Sequence, residues 1–215
     1  MYAQAVSELT MGLILSIDRR IAESTYQLKT GSWNKGEFRK SKGIKGRTLG
    51  LIGGGIAAQQ VCKAARAFGM EVIVFSRTRR PRIDQELGFT YVNQNELLAD
   101  ADIVSLHVPL TKETQKIVNV DFMSKMKPDA VFINTSRGDI VDEDVLLAKL
   151  ESCPDFWVGT DVYNGEPEEL TTDNFVHPIA QHPRVYGTHH CGADTLQAEK
   201  AIGQEAVRII RKYNA

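Results

Sequence analysis

The sequence predicts an α/β fold: a doubly wound parallel sheet with helices on both faces. Two observations carry the prediction. First, short apolar runs recur at Leu49–Ile52, Val72–Phe75, Ile103–Leu106, Ala130–Ile133 and Trp157–Gly159. Each is too short for a buried helix and is bounded by turn or polar residues. Second, helical segments fall between most of them, at Ala57–Phe68, Gln94–Leu98, Val120–Met126 and Glu143–Leu150. Near-continuous apolar strands alternating with helices need cover on both faces, which a parallel sheet receives from its crossover helices. Weaker strands are expected at Thr90–Val92 and Val185–Gly187.

The flanking segments read differently. Val6, Leu9, Leu13, Ile14, Ile17 and Ile21 recur at helical spacing, so a first helix is expected from about Ala3 to Leu28. The polar stretch Thr30 to Lys45 reads as an arm packed through Trp33 and Phe38. A last helix is expected over Ala193–Tyr213, with Ala198, Ala201, Ile202, Ala206, Ile209 and Ile210 on its apolar side. The βα units run on without a linker. The expected organisation over 1–215 is one domain: a helix and arm (1–45), a core (46–192) and a terminal helix (193–215).

Composition narrows the function class. The 215 residues carry a formal net charge of -1, so no global field favours nucleic acid or a membrane surface. There is no run of about 18 apolar residues, so no membrane-spanning helix is expected. The N-terminus lacks a basic region followed by an apolar one, so it is not read as a signal peptide. Cys62, Cys153 and Cys191 are odd in number and far apart, which favours free thiols in a reducing, cytoplasmic setting. No CxxC or HxxxH spacing suggests a metal site.

The first core strand ends in Gly53-Gly54-Gly55-Ile56-Ala57-Ala58, which fits G-x-G-x-x-[GA] between a strand and a helix. Gly53 permits a tight turn, Gly55 lets the backbone approach a pyrophosphate, and Ala58 keeps helix and strand close. The helix N-terminus then offers free N–H groups and a partial positive charge. The context is that of a Rossmann-type dinucleotide-binding domain.

The second strand should end beside the adenosine ribose. NAD sites place a carboxylate there, about 20 residues after the glycines, for the 2′-hydroxyl. This chain has Ser76-Arg77-Thr78-Arg79-Arg80 instead. Guanidinium forks suit phosphate oxygens, so Ser76, Arg77 and Thr78 favour NADP(H), with NAD(H) as the alternative. A solvated basic loop is the plainer explanation of the same residues.

Three further motifs follow strands. They are Asn134-Thr135-Ser136-Arg137-Gly138, Asp161-Val162-Tyr163-Asn164-Gly165-Glu166-Pro167 and Thr188-His189-His190-Cys191-Gly192-Ala193. Ligands bind at C-terminal strand ends in open α/β sheets. An arginine, a carboxylate and a histidine around one crevice suit reduction of a 2-oxo acid. The arginine binds carboxylate or carbonyl oxygen, the histidine donates a proton, and the carboxylate orients the histidine. Cys191 has nothing nearby arranged to activate it as a nucleophile.

These motifs resemble the D-isomer-specific 2-hydroxyacid dehydrogenases, most closely their phosphoglycerate dehydrogenase-like branch. The similarity runs from Ala5-Val6-Ser7-Glu8-Leu9-Thr10 through Gly46-Arg47-Thr48-Leu49-Gly50 and the glycine turn. It continues through His107-Val108-Pro109-Leu110-Thr111 to His190–Thr195. The resemblance implies Arg137 as substrate-binding arginine, Glu166 as the histidine's partner and His190 as acid–base. It implies backbone contacts to pyrophosphate from Ile56 and Ala57. Val108, Thr135 and Asp161 would line ribose and nicotinamide, with Asp161 on the carboxamide, and His190 and Gly192 would border the same site. Two departures stand out: Ile56-Ala57-Ala58 replaces the family's usual Arg-Ile-Gly, and His189 stands where proline is common. His189 is expected to pack or bond locally, and His107, His177 and His182 to be structural.

The resemblance also implies a second, substrate-binding domain, formed mainly by sequence preceding the first helix here and largely absent from this chain. Cofactor binding is expected without it, and turnover is expected to be weak or absent. The first helix and Trp33 arm resemble the family's dimerisation elements, so a homodimer is expected; the alternative is that the helix packs within its own domain. The partner molecule is a small 2-oxo or 2-hydroxy acid, its identity open among phosphoglycerate, glyoxylate, hydroxypyruvate and bulkier acids. A second functional class stays open: a non-catalytic dinucleotide-sensing protein of the corepressor kind.

Overall fold

The computed structural model describes residues 2–80, 82–167 and 174–213. Its strands are β1 (Thr48–Ile52), β2 (Glu71–Phe75), β3 (Thr90–Tyr91), β4 (Ile103–Leu106), β5 (Val131–Asn134), β6 (Trp157–Thr160) and β7 (Val185–Gly187). They form one sheet in the order β3-β2-β1-β4-β5-β6-β7, and every pair is parallel. Leu49 lies opposite Val72 on one side and Ile103 on the other. The order reverses between β1 and β4, the switch point at which open sheets of this kind form a ligand crevice.

The helices are α1 (Tyr2–Arg19), α2 (Ile21–Lys29), α3 (Lys35–Phe38), α4 (Ile56–Ala67), α5 (Ile83–Leu87), α6 (Gln94–Asp100), α7 (Val120–Lys125), α8 (Glu143–Ser152), α9 (Pro178–Gln181) and α10 (Leu196–Tyr213). Side-chain alternation along the strands builds a core on each face. On one face Ile14 and Ile17 of α1 and Val61 and Ala65 of α4 meet Leu49, Leu51, Ile103 and Ile133. On the other, Leu97, Phe122, Leu146 and Leu150 from α6, α7 and α8 meet Leu106, Phe132 and Val158. Gly50 is required by this second layer: a Cβ there would lie 2.6 Å from a Leu97 methyl.

The expected first helix is two helices. Arg20 adopts left-handed backbone, φ 50°, and separates α1 from α2. Apolar spacing continues through Ile21, yet α2 buries none of its residues. The guanidinium of Arg20 is held at the break. It lies over the rings of Phe38 (5.2 Å) and Trp157 (6.0 Å) and donates to Glu37 at 2.5 Å. Tyr186 of β7 donates to Glu23, which fixes the direction α2 takes. Phe38 therefore anchors the arm, whereas Trp33 does not: it is 80% exposed.

The last helix starts later than expected. Thr195 accepts the Ala198 N–H through its hydroxyl at 3.1 Å, and α10 begins at Leu196. Its apolar side is not a core face either. Ala198 is buried, but Ile209 and Ile210 are exposed. The short helices α3, α5 and α9 have too few residues to show a period, and the sequence did not announce them.

The two edges of the sheet differ in character. Where strands begin, charged side chains pair: Lys127 with Asp102 (2.8 Å), Lys42 with Asp129 (2.7 Å) and Arg47 with Asp18 (3.4 Å). Asp102 also accepts the Thr48 N–H at 2.9 Å, tying β1 to the loop before β4. Where strands end lie the glycine turn and all the candidate functional motifs. Among the described residues, no helix is long and apolar enough to cross a membrane.

Candidate active site

The glycine turn comes first. Gly53 has φ +109°, and a Cβ on it would stand 2.3 Å from the carbonyl oxygen of His107. The turn after β1 is thus packed backbone to backbone against the end of β4, where only glycine fits. Gly54 sits against Ser76, whose Cβ and Oγ would be 3.3 Å from an added Cβ. Gly55 differs, with nothing within 4 Å of its Cβ position. It precedes α4 as an N-cap without a side-chain hydrogen bond. The space beside Gly55, at the start of α4, is therefore open, as an anion site at a helix N-terminus requires. Ile56 is exposed, Ala57 half-buried and Ala58 buried.

The loop after β2 is folded by Ser76, whose hydroxyl donates to the Thr78 carbonyl at 3.0 Å. Arg77 and Thr78 are exposed. Arg79 lies over the Tyr91 ring, and the Arg80 N–H donates to the Tyr91 hydroxyl at 3.2 Å. Val108 touches the glycine turn from the end of β4, its Cγ1 3.1 Å from a Cβ built on Gly53.

Asn134 shapes the motif after β5. Its Oδ1 accepts the Ser136 N–H at 3.0 Å, and its Nδ2 donates to the Arg137 carbonyl at 2.9 Å. The Ser136 hydroxyl donates to the Leu106 carbonyl at 2.8 Å. This clamp leaves the Arg137 side chain exposed. The buried Thr135 hydroxyl shares a 3.0 Å hydrogen bond with Thr10 of α1. Asn134 and Ser136 lay inside a motif the sequence presented, but their clamping role has no sequence signal beyond their position between strand and arginine.

Asp161 follows β6 and is 2% exposed. Its Oδ1 accepts from the Thr188 hydroxyl (2.5 Å) and the Cys191 N–H (3.0 Å); its Oδ2 accepts from Gly192 N–H (2.9 Å). Its carbonyl accepts the His190 N–H at 2.8 Å. A buried carboxylate is stable only with such donors. Asp161 thus holds the whole loop after β7, including Gly192. That loop places His190 in left-handed backbone, φ 51°, with its Nδ1 against Glu166 Oε1. The other Glu166 oxygen accepts the Tyr163 N–H at 3.0 Å.

His190 and Glu166 are therefore paired; Arg137 follows β5 at the same end of the sheet, its guanidinium donating to the Ser136 carbonyl at 2.6 Å. His189 is exposed and makes no hydrogen bond among the described residues, so the expected local packing is not found. His177 pairs with Glu143 at 3.1 Å and His182 with Glu151 at 3.8 Å. His107 Nε2 shares a 2.9 Å hydrogen bond with the Ser105 hydroxyl, and burial pushes its imidazole down to about 4. Burial, reinforced by the charges of Asp161, Glu166 and Glu143, pushes the Tyr163 phenol up to about 12. It stays a neutral, apolar-faced neighbour of the pair.

The family pattern described as "D-isomer specific 2-hydroxyacid dehydrogenase, NAD binding domain" matches residues 11–192. The chain belongs to the D-isomer specific 2-hydroxyacid dehydrogenase family. Hydroxypyruvate reductase of Thermotoga maritima is 40% identical over 210 residues, which make up 98% of this chain and 66% of that protein. D-3-phosphoglycerate dehydrogenase of Methanocaldococcus jannaschii is 38% identical over 211 residues, 97% of this chain and 38% of that one. The solved structure of D-lactate dehydrogenase with NAD+ from Lactobacillus jensenii superposes with a TM-score of 0.85 at 26% identity, covering 96% of this chain and 64% of that chain. The chain thus spans less than two thirds of the length of these family members. The open cradle at Gly55 fits the nicotinamide dinucleotide that the family's NAD binding domain holds.

Proposed function

We propose that this chain is the cofactor-binding part, residues 1–215, of an enzyme that interconverts a D-2-hydroxy acid and a 2-oxo acid. Within it, 1–45 serve as helix and arm, 46–192 as core and 193–215 as a terminal helix. The observation that carries the proposal is the His190–Glu166 pair, set at the same sheet edge as the Gly53–Gly55 turn and Arg137. A bound nicotinamide dinucleotide supplies the hydride donor or acceptor. Gly53 allows the turn, while Gly55, Ile56 and Ala57 would hold the pyrophosphate through backbone N–H groups. Val108, Thr135, Asp161, His190 and Gly192 would border the ribose and nicotinamide.

The chain's own residues do the rest. Arg137 binds the carboxylate of the acid and orients its C2 oxygen toward His190. In reduction His190 gives a proton to that oxygen; in oxidation it takes one from the hydroxyl. Glu166, acting at Nδ1, holds the imidazole so that Nε2 faces the substrate. Small acids such as glyoxylate and hydroxypyruvate, named in relatives, fit this chemistry. The test is a 2-oxo-acid panel on a longer form that completes the relatives' length. His190→Ala should lower turnover by roughly 10²–10⁴; full turnover in that variant would refute the assignment.

The cofactor preference we propose is NADP(H). The loop Ser76–Arg80 offers hydroxyl and guanidinium groups and no carboxylate. Tighter binding of NADH than NADPH would overturn this. Ser76→Asp should weaken NADPH binding.

A homodimer is proposed through α2 and the arm, where Tyr26, Leu28 and Trp33 expose large apolar side chains. Light scattering of Trp33→Ser decides it: a wild-type monomer, or a variant dimer of unchanged strength, counts against the contact. The free thiols Cys62, Cys153 and Cys191 suit a reducing, cytoplasmic setting.

A further inference from the structure

The peptide joining Tyr163 to Asn164 is contacted from both halves of the site. A Cβ on Gly138, the residue after Arg137, would lie 2.3 Å from the Tyr163 carbonyl and 2.7 Å from the Asn164 nitrogen. The backbone carrying Arg137 is therefore pressed against this peptide. From the other side the Tyr163 N–H donates to Glu166, which holds His190. The peptide is a common mount for the arginine and for the carboxylate–histidine pair.

Glu143, at the start of α8, holds that mount. Its Oε1 accepts the Asn164 N–H at 3.0 Å, and its Oε2 meets His177 Nε2 at 3.1 Å. The Asn164 side chain adds a 3.3 Å hydrogen bond to the Val141 carbonyl. His177 is clamped in turn: its ring stacks on Phe175 (5.2 Å) and tilts against Tyr163 (5.3 Å). Both carboxylate oxygens of Glu143 are thus engaged inside the fold, at 17% exposure. A first-turn acid that served only the helix dipole would point to water, as its exposed neighbour Asp144 does.

We infer that Glu143, with His177 beside it, is a positioning residue that fixes the Tyr163–Asn164 peptide and through it the orientation of Glu166 and His190. Outer partners that orient a functional side chain matter because they fix its tautomer and direction. The inference rests on the His190–Glu166 pair of the proposed function. Glu143 would not touch substrate or cofactor.

The imidazole tautomer reads this out in the chain as it stands. Nitrogen-15 correlation spectra in alkaline solution report which ring nitrogen of His190 carries the proton. In the wild type Glu166 holds the proton on Nδ1. Glu166→Ala should return His190 to the ordinary Nε2–H preference and sets the full scale of the effect. Glu143→Ala should move the tautomer ratio at least halfway along that scale, and Glu143→Gln, which keeps an acceptor for Asn164 but not one for His177, by less. Asp144→Ala should leave it unmoved. A folded Glu143→Ala with the wild-type ratio overturns the inference. Should that variant fail to fold by circular dichroism, a wild-type ratio in Glu143→Gln overturns it instead. If Glu166→Ala itself changes nothing, the pairing under the proposed function fails, and this inference with it.

Discussion

The buried carboxylate of Asp161 accepts the main-chain N–H of Gly192 at 2.9 Å, joining the end of β6 to the loop that presents His190. Gly192 has to be glycine for this: a Cβ there would lie 2.8 Å from Asp161 Oδ2 and 3.0 Å from a Leu9 methyl. The catalytic candidate is thus held through a residue two positions along the chain, by a carboxylate that also takes the Cys191 N–H and the Thr188 hydroxyl.

Asp161→Ala is expected to leave those donors without their partner and to destabilise the chain by about 2–4 kcal/mol. Urea denaturation measures it. The same variant should weaken NADPH binding in a fluorescence titration. An unchanged urea midpoint would show that water replaces the carboxylate.

The two ends of the glycine turn should separate stability from binding. Gly53→Ala meets the His107 carbonyl from a left-handed backbone and is expected to lose more than about 2 kcal/mol. Gly55→Ala meets open space, so the fold should survive, while nucleotide affinity falls about tenfold or more. Equal behaviour of the two in denaturation and titration would contradict this.

Stability should depend on pH through His107. Burial pushes its imidazole down to about 4 in the folded chain, against 6.5 for the ordinary group. Between those values the unfolded chain binds more protons, so stability is full above pH 6.5 and falls as pH drops toward 4. The loss is of order 3 kcal/mol. His107→Gln should flatten the slope of urea midpoint against pH in that window. An unchanged slope assigns the effect elsewhere.

Arg184 closes the far end of α8. Its Nη1 donates to the Cys153 carbonyl at 2.6 Å and the Phe156 carbonyl at 3.1 Å, and its Nη2 donates to Leu150. A cation here also complements the helix dipole. Arg184→Ala is expected to lower stability by about 2 kcal/mol, with Arg184→Lys recovering only part, because ammonium lacks the planar fork. Thermal denaturation of both variants is the check.

What could be read beforehand follows physical lines. Leu49–Leu51 and Ile103–Leu106 are buried from both faces, so they appear as near-continuous apolar runs, broken only by the buried Ser105, and their strands were legible. Gly53 and Gly55 were legible because a tight turn with open N–H groups tolerates few side chains. The break at Arg20 was not, since one left-handed residue leaves the apolar period of Ile17 and Ile21 intact. The exposure of Ile209 and Ile210 was not, because periodicity reports that a face is apolar and not what lies against it. Glu143 looked like any acid in a helix's first turn; its partners Asn164 and His177 are distant in sequence, and only the fold brings them to it.

The charged rim where the strands begin has a practical consequence. Lys42 and Asp129 pair there at half exposure, and such surface pairs contribute little to stability. The molecule has a working end and a handling end, separated by the length of its strands. A dye, a surface linker or an added charge attached near Lys42 would therefore report on or immobilise the domain without entering the crevice where chemistry is proposed.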